Sequence, residues 1–300
     1  MKYKEKQRIF SEGRVSFLVL LVVVMLSASF STNTSSEPSS ERFDSSKACS
    51  TATAPFSFVQ LCDPQLGMGG YEHDKQTFMQ AVQQINSMEV DFAVICGDLV
   101  HHMSDSSLTD FQEIRNGLDV PSYLVPGNHD VRNVPDESSL KKYRETFGDD
   151  YYTFDHEGVT FIFVNTQLWK SEIGTESDKH DEWFKTTLQS KDNENRVIVT
   201  GHYPIFIQSP DEKDEYFNLP VEKRMELLTL MENHNVVAYL SGHKHEFVSN
   251  TYGSIQLVTG ETTSKNFDKR PFGFRKWDVS EDTVMHHFVE LEIRAELLEK

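Results

Sequence analysis

Short apolar and β-branched runs alternate with helical patterns along most of the chain. Apolar periodicity at helical spacing predicts helices over Asp74–Met88, Asp136–Phe147, Asp178–Gln189 and Val221–Asn233. The runs predicted to be strands are Phe56–Cys62, Phe92–Cys96, Ser122–Val125, Val159–Val164, Arg196–Thr200, Val236–Leu240 and Ile255–Val258. Several of these runs are continuous enough in apolar character for strands buried on both faces. The alternation indicates an α/β fold.

One pair of runs predicts antiparallel pairing. Tyr151–Asp155 and Val159–Val164 are separated by the turn sequence His156-Glu157-Gly158, which favours a β-hairpin. We therefore expect a mixed sheet rather than a purely parallel one.

The N-terminal region differs in composition from the rest of the chain. A basic start followed by an apolar segment from Val15 to Phe30 is typical of a secretory signal peptide, with an uncleaved signal-anchor as the alternative. Residues 31–53 are rich in Ser and Thr and predict a flexible linker, and residues 54–294 form the main domain. We expect a secreted or membrane-anchored protein, or a cytoplasmic one if residues 1–30 are not a functional signal. Membrane contact is expected only through this segment.

The composition excludes some classes of partner and scaffold. A net charge of −18 argues against non-specific nucleic-acid binding, so no nucleic-acid partner is expected. Three cysteines do not form a disulfide scaffold. Cys62 and Cys96 each end an apolar run and are interpreted as buried free thiols, with a Cys62–Cys96 bridge as the alternative.

Five short polar clusters each follow a predicted strand. They are Asp63-Pro64-Gln65, Gly97-Asp98-Leu99-Val100-His101, Gly127-Asn128-His129-Asp130, Gly201-His202 and Gly242-His243-Lys244-His245. In α/β sheets ligands bind at the carboxyl ends of strands, which is where these clusters lie. Each cluster alone is an ordinary polar turn, but together they predict a two-metal hydrolytic site. Its candidate oxygen and imidazole ligands are Asp63, Gln65, Asp98, Asn128, His202, His243 and His245.

In this order the clusters match the signature of the calcineurin-like metallophosphoesterases, which the chain resembles from about Phe56 to Leu291. Loop sequences such as Cys96-Gly97-Asp98-Leu99 and Tyr216-Phe217-Asn218-Leu219 resemble one subgroup, the calcineurin-like phosphoesterase domain-containing protein 1 type. The resemblance implies a four-layer α/β/β/α sandwich, with two mixed sheets flanked by helices.

The resemblance also implies how the ligands are divided between two divalent ions, whether Mn, Fe, Zn or Mg. One ion would take Asp63, Gln65, Asp98 and His245. The other would take Asp98, Asn128, His202 and His243, with Asp98 bridging. A hydroxide held between the ions would attack phosphorus in line with the leaving oxygen.

The catalytic histidine implied by the resemblance is His129. It would donate a proton or a hydrogen bond to the leaving group, and Asp130 or His101 would orient it. The role of His101 stays open between a substrate-side partner of His129 and a plain loop histidine.

The chain departs from the superfamily pattern at Gln65, where most members have His. With an amide oxygen there, the site should favour Mn or Mg over Zn, or bind its ion loosely. The alternative is that Gln65 lies outside the ligand set. The acidic stretch Asp211–Glu215 is interpreted as a solvated loop, with a rim of the site as the alternative. Arg270 and Arg275 are the late basic residues considered for phosphate contact.

The function predicted from this resemblance is metal-dependent phosphomonoester hydrolysis. The expected substrate is a phosphoprotein, with phosphoserine or phosphothreonine, or a small phosphoester. The alternatives are a phosphodiesterase acting on cyclic nucleotides or phospholipid-type diesters, and a non-catalytic binding domain on the same scaffold.

Overall fold

A computed structural model describes residues 54–190 and 195–292. The predicted signal segment and the whole predicted linker, residues 1–53, lie outside these residues. No helix in the described ranges is long and apolar enough to cross a membrane. The elements are β1 (Phe56–Leu61), α1 (Tyr71–Asn86), β2 (Phe92–Ile95), α2 (Asp105–Arg115), β3 (Ser122–Leu124), α3 (Asn128–Val131), α4 (Glu137–Phe147), β4 (Tyr152–His156), β5 (Val159–Phe163), α5 (Thr166–Ser171), α6 (Thr175–Ser190), β6 (Arg196–Thr200), α7 (Val221–Glu232), β7 (Val236–Ser241), β8 (Val248–Tyr252), β9 (Ile255–Thr259), β10 (Gly273–Val279) and β11 (Val284–Glu290).

The strands form two mixed sheets. The first sheet has the order β11-β10-β1-β2-β3, in which β1, β2 and β3 are parallel and β10 is antiparallel to both of its neighbours. The second sheet has the order β4-β5-β6-β7-β9-β8, with four parallel central strands between antiparallel edges. The predicted hairpin is β4–β5, and mixed sheets are confirmed.

An aromatic core joins the two sheets face to face. Phe58 of β1 stacks on Phe92 and Trp277 of its own sheet and meets Phe161 of the second sheet edge-on, with ring centroids 5.3 Å apart. Cys62 and Cys96 lie in this layer as buried free thiols, as predicted.

Helices cover the outer face of each sheet. Phe78 of α1 and Phe111 of α2 lie in the core cluster on the first sheet, whereas Phe184 of α6 and Leu228 of α7 lie in the cluster on the second. The architecture is therefore the predicted four-layer α/β/β/α sandwich. This packing aligns the carboxyl ends of β1, β2 and β3 with those of β6 and β7.

The predicted elements are found, with shifted ends and some omissions. Helix α1 begins at Tyr71 rather than Asp74, because the Asp74 carboxylate accepts hydrogen bonds from the amides of Gly67, Gly69 and Gly70 and fixes the preceding loop. The elements absent from the prediction are α2, α3, α5, β8, β10 and β11.

Candidate metal centre and active site

All seven predicted ligands follow the carboxyl ends of parallel strands. The first sheet supplies those after β1, β2 and β3, and the second sheet supplies those after β6 and β7. In chain order they are Asp63, Gln65, Asp98, Asn128, His202, His243 and His245. All seven are buried.

These residues form two groups that share Asp98. One ligand atom each from Asp98, His202 and His243 lie within 4.8 Å of one another, and so do atoms of Asp63, Asp98 and His245. This is the division that the resemblance implied. Whether each residue ligates a metal stays a prediction, and the geometry is compatible with it.

Two side-chain amides complete the groups. The Asn128 Oδ1 atom lies 3.2 Å from His202 Nε2, and Gln65 Nε2 donates to Asp98 Oδ2 at 3.2 Å. The Gln65 Oε1 atom is buried and has no hydrogen-bond partner among the described residues. A buried acceptor left without a donor is costly, and a cation at this position would satisfy it.

The backbone of the site is strained. Five of the seven predicted ligands have positive φ, and the angles are 48° at Asp63, 31° at Gln65, 48° at Asp98, 68° at His243 and 53° at His245. Each such residue costs about 1–3 kcal/mol and persists only where the surrounding structure fixes it. Strain concentrated on these residues indicates that the fold aims their side chains at one point.

Glycines allow the strand-end turns to approach the carboxylates. A Cβ atom on Gly127 would lie 2.1 Å from Asp98 Oδ1, and one on Gly242 would lie 2.5 Å from Asp63 Oδ2. Both distances are too short for any side chain, so each position requires glycine.

Hydrogen bonds on the far side of the imidazoles fix their orientation. His202 Nδ1 donates to the Cys96 carbonyl at 2.8 Å, and His245 Nδ1 donates to the Lys265 carbonyl at 2.6 Å. A carbonyl only accepts, so in each ring Nε2 is left to face the site.

The site holds more buried negative charge than its basic partners balance. Within the described ranges, no Lys or Arg pairs with Asp63 or Asp98, and their ion-pair partners are His202 and His245. Burial raises the pKa of Asp63. Burial alone would lower the pKa of His202, but the Asp98 carboxylate outweighs it and raises that pKa to about 9. Buried carboxylates with so little compensation, beside an unpartnered amide oxygen, fit divalent cations.

His129 is held beside Asp98 by its backbone and its ring. Its amide donates to Asp98 Oδ1 at 2.9 Å, and ring Nδ1 donates to the His101 carbonyl at 3.0 Å. The His101 ring stacks on the His129 ring with centroids 4.6 Å apart. His129 Nε2 is therefore the nitrogen left to exchange a proton, and His101 contacts the ring through its carbonyl and its stacked imidazole.

The hydrogen bonds of the Asp130 side chain found within the described residues go to backbone amides rather than to the His129 ring. Its carboxylate accepts from the amides of Gly127 and Leu99 at 2.7 Å and 3.0 Å, with a longer contact to Val100. Asp130 thus ties the turns after β2 and β3 together. The catalytic roles assigned to His129, Asp130 and His101 stay predictions.

Tyr216 is a site residue that the sequence motifs did not predict. Its hydroxyl lies 3.3 Å from Asn128 Nδ2, and its ring centroid is 5.0 Å from that of His243. The sequence signal was an aromatic pair after an acidic stretch. In that stretch, Glu212 accepts from the amides of Ile207 and Gln208, so the loop is organised by its own contacts and its aromatic end reaches the site.

The two late arginines are not free for phosphate. Arg275 donates twice to the buried Glu261 carboxylate, at 2.8 Å and 2.9 Å, and Arg270 donates to it at 2.7 Å. The expectation that they bind phosphate is therefore not supported.

Comparison with known proteins shows the family of this chain. The family model described as calcineurin-like phosphoesterase matches residues 57–247. Serine/threonine-protein phosphatase CPPED1 of Danio rerio is 31% identical over 270 residues, covering 81% of this chain and 87% of the relative. CPPED1 of Homo sapiens is 31% identical over 269 residues, covering 81% and 86%.

Among solved structures, a dimetal phosphatase from Danio rerio shares the fold with a TM-score of 0.63 at 17% identity, covering 78% of this chain and 97% of that one. The match of the family model over most of the folded domain, together with the two relatives, decides the family. This chain belongs to the calcineurin-like phosphoesterases and is a metal-dependent hydrolase of phosphoric esters.

Proposed function

We propose that this enzyme is a phosphomonoesterase that dephosphorylates phosphoserine and phosphothreonine in proteins. The observation that carries the proposal is the likeness, over 81% of the chain, to relatives named serine/threonine-protein phosphatases. The position of His129 supports it, because Nε2 is left to protonate a leaving oxygen next to Asp98.

Each part of the site has a role in this reaction. Two divalent cations held by the seven predicted ligands would activate water and neutralise charge on the phosphoryl oxygens. His129 Nε2 would give a proton to the departing oxygen. Asp98 would keep His129 in place by accepting its amide hydrogen, and the His101 carbonyl would hold the proton on Nδ1.

The leaving group provides the test. Serine leaves as a basic alkoxide that needs a proton, whereas nitrophenolate leaves readily without one. We expect His129→Asn to lower kcat/KM on a phosphoserine peptide by roughly 10²-fold and to affect nitrophenyl phosphate much less. Equal losses on both substrates would contradict the proton-donor role. A wild-type preference for bis-nitrophenyl phosphate over nitrophenyl phosphate would instead favour a phosphodiesterase.

We propose that Gln65 gives the site a preference for Mn or Mg over Zn. A hard amide oxygen in place of imidazole supports this, as does the unpartnered Oε1 atom. Metal-stripped enzyme should regain more activity with Mn or Mg than with Zn, each added singly.

We also propose that the protein is exported or membrane-anchored through residues 1–30. The basic start and the apolar segment from Val15 to Phe30 support this. Expression of the full chain with a C-terminal tag, followed by N-terminal sequencing, tests it. Recovery from the cytoplasm with Met1 or Lys2 at the start would refute it.

A further inference from the structure

A cleft of about 560 Å³ lies beside the metal centre, and its lining includes Asn128 and His129. Its volume is that of an ordinary ligand pocket. Because a predicted ligand and the predicted proton donor both line it, the cleft is where a leaving group protonated by His129 would lie. We refer to it as the basic cleft, after two of its lining residues, Arg132 and Lys142.

The exposed charged side chains in the lining of this cleft are opposite in sign to the net charge of the chain. The protein carries a net charge of −18, yet the ionised side chains that reach the cleft surface are cations. The one acidic side chain in the lining, Asp130, is buried and faces the amides of Gly127 and Leu99. Arg132 and Lys142 are therefore the charged side chains of the lining that a ligand can reach.

Among the described residues, neither Arg132 nor Lys142 forms a buried ion pair. Arg132 pairs with Asp136, and both side chains are about half exposed or more. Lys142 donates to the Met103 carbonyl at 2.7 Å, and its nearest carboxylate, on the fully exposed Asp105, is 3.8 Å away. Exposed ion pairs of this kind contribute little, so both cations can pair with an anionic ligand instead.

Three neighbouring imidazole rings form another part of the lining, of which those of His101 and His129 are stacked. The His101 ring lies 4.4 Å from the His102 ring and 4.6 Å from the His129 ring, measured between centroids. Burial and the neighbouring His129 lower the pKa of His101. The three rings form a row that leads from the proton donor His129 to the exposed His102.

We propose that the basic cleft binds the peptide side of the leaving group and selects phosphoserine or phosphothreonine flanked by acidic side chains. The inference rests on the proposed function and adds a substrate class to it. The carboxylate of an Asp or Glu next to the phosphorylated residue of the substrate would pair with Lys142 or Arg132, while His129 protonates the leaving oxygen of the phosphoester.

The test uses two phosphoserine peptides that differ only in having Glu or Gln at the positions flanking the phosphorylated serine. We expect the full-length enzyme to show a kcat/KM about fivefold higher on the Glu peptide, the size expected of an exposed ion pair. The preference should shrink as ionic strength rises, because salt screens exposed charges.

Variants locate the effect. Lys142→Glu should remove or reverse the preference, and Arg132→Gln should weaken it. Lys141→Gln is the matched control, since Lys141 is the preceding residue of α4, pairs with Glu145 and does not line the cleft. This control should keep the wild-type preference.

The outcomes separate the two proposals. Equal kcat/KM on both peptides, with normal turnover, would overturn the cleft assignment and leave the phosphatase proposal standing. Hydrolysis of nitrophenyl phosphate with no turnover of either peptide would overturn both. A Glu preference that Lys142→Glu leaves intact would also overturn the cleft assignment, and the salt dependence of the wild type checks it without any substitution.

Discussion

The two sheets bring different chemistry to the same site. The strand ends of the first sheet supply only oxygen ligands, from Asp63, Gln65, Asp98 and Asn128. The strand ends of the second sheet supply only imidazoles, from His202, His243 and His245. One sheet therefore contributes the negative charge and the other contributes neutral or cationic nitrogen.

Direct contacts between the sheets show that neither side forms the site alone. The His243 amide donates to both oxygens of Asp63 at 3.0 Å, and Thr262, after β9, donates its hydroxyl to the Asp63 carbonyl at 2.9 Å. The contacts that hold the two sheets together at this edge therefore also form the metal centre. The oxygen side should matter most, because its charge attracts the cations and Asp98 belongs to both groups.

The largest effect is expected from Asp98→Asn on the oxygen side. The variant keeps the shape of the side chain and removes the charge shared by both groups. We expect kcat/KM on nitrophenyl phosphate to fall on the order of 10³-fold, with bound metal close to zero by elemental analysis. Asp149→Asn, on an exposed carboxylate, is the control. Unchanged metal content in Asp98→Asn would show that Asp98 is not shared between two ions.

A smaller loss is expected from His243→Asn on the imidazole side. His243 belongs to one group only, so the group containing Asp63, Asp98 and His245 should keep its ion. Bound metal should drop by about half, and metal affinity at the affected site should fall roughly 10–100-fold, as for other disturbances of ligation. Titration with Mn monitored by calorimetry measures both. His234→Asn should titrate like the wild type, and an equal loss of both ions would refute the division into groups.

Gln65→His would reduce the difference in ligand chemistry between the two sheets, because it places an imidazole among the oxygen ligands of the first sheet. The variant should bind Zn about tenfold more tightly relative to Mn, since imidazole suits Zn better than an amide does. Competition with a chelating dye measures this ratio without relying on activity. No change in the Zn/Mn ratio would place Gln65 outside the ligand set.

The site was predictable from the sequence because its ligands are carried by short motifs at strand ends. A strand that is buried on both faces is a continuous apolar run, and the polar residue that ends it is easily recognised, as with Asp98 after Phe92–Ile95. Family resemblance then divided the ligands between two groups, and the distances around Asp98 agree with that division.

Elements outside this pattern were missed for identifiable reasons. β11 is an edge strand whose residues are partly exposed, so its sequence Val284–Glu290 has no apolar run. Helix α2 has apolar residues at Leu108, Phe111 and Ile114. This spacing of three is itself a helical pattern, although it is short. The contact between Tyr216 and Asn128 joins residues 88 positions apart, and local pattern cannot show it.

The smallest effect on activity is expected at His180, which lies on α6 and belongs to neither group of predicted ligands. Burial lowers the pKa of His180 to about 3, and its Nε2 accepts from the Asn165 amide at 3.3 Å. The folded state therefore keeps this ring neutral while the unfolded chain protonates it below about pH 6.5.

The stability that His180 contributes is therefore present above that pH. As pH falls toward 3, it is lost at about 1 kcal/mol per pH unit. In urea denaturation at pH 7, 6 and 5, His180→Gln should show a shallower fall of unfolding free energy than the wild type, with kcat near the wild-type value at pH 7. The exposed His287→Gln should keep the wild-type slope. Identical slopes in all three proteins would show that His180 is protonated in the folded state, and that the stability of the second sheet does not depend on its charge.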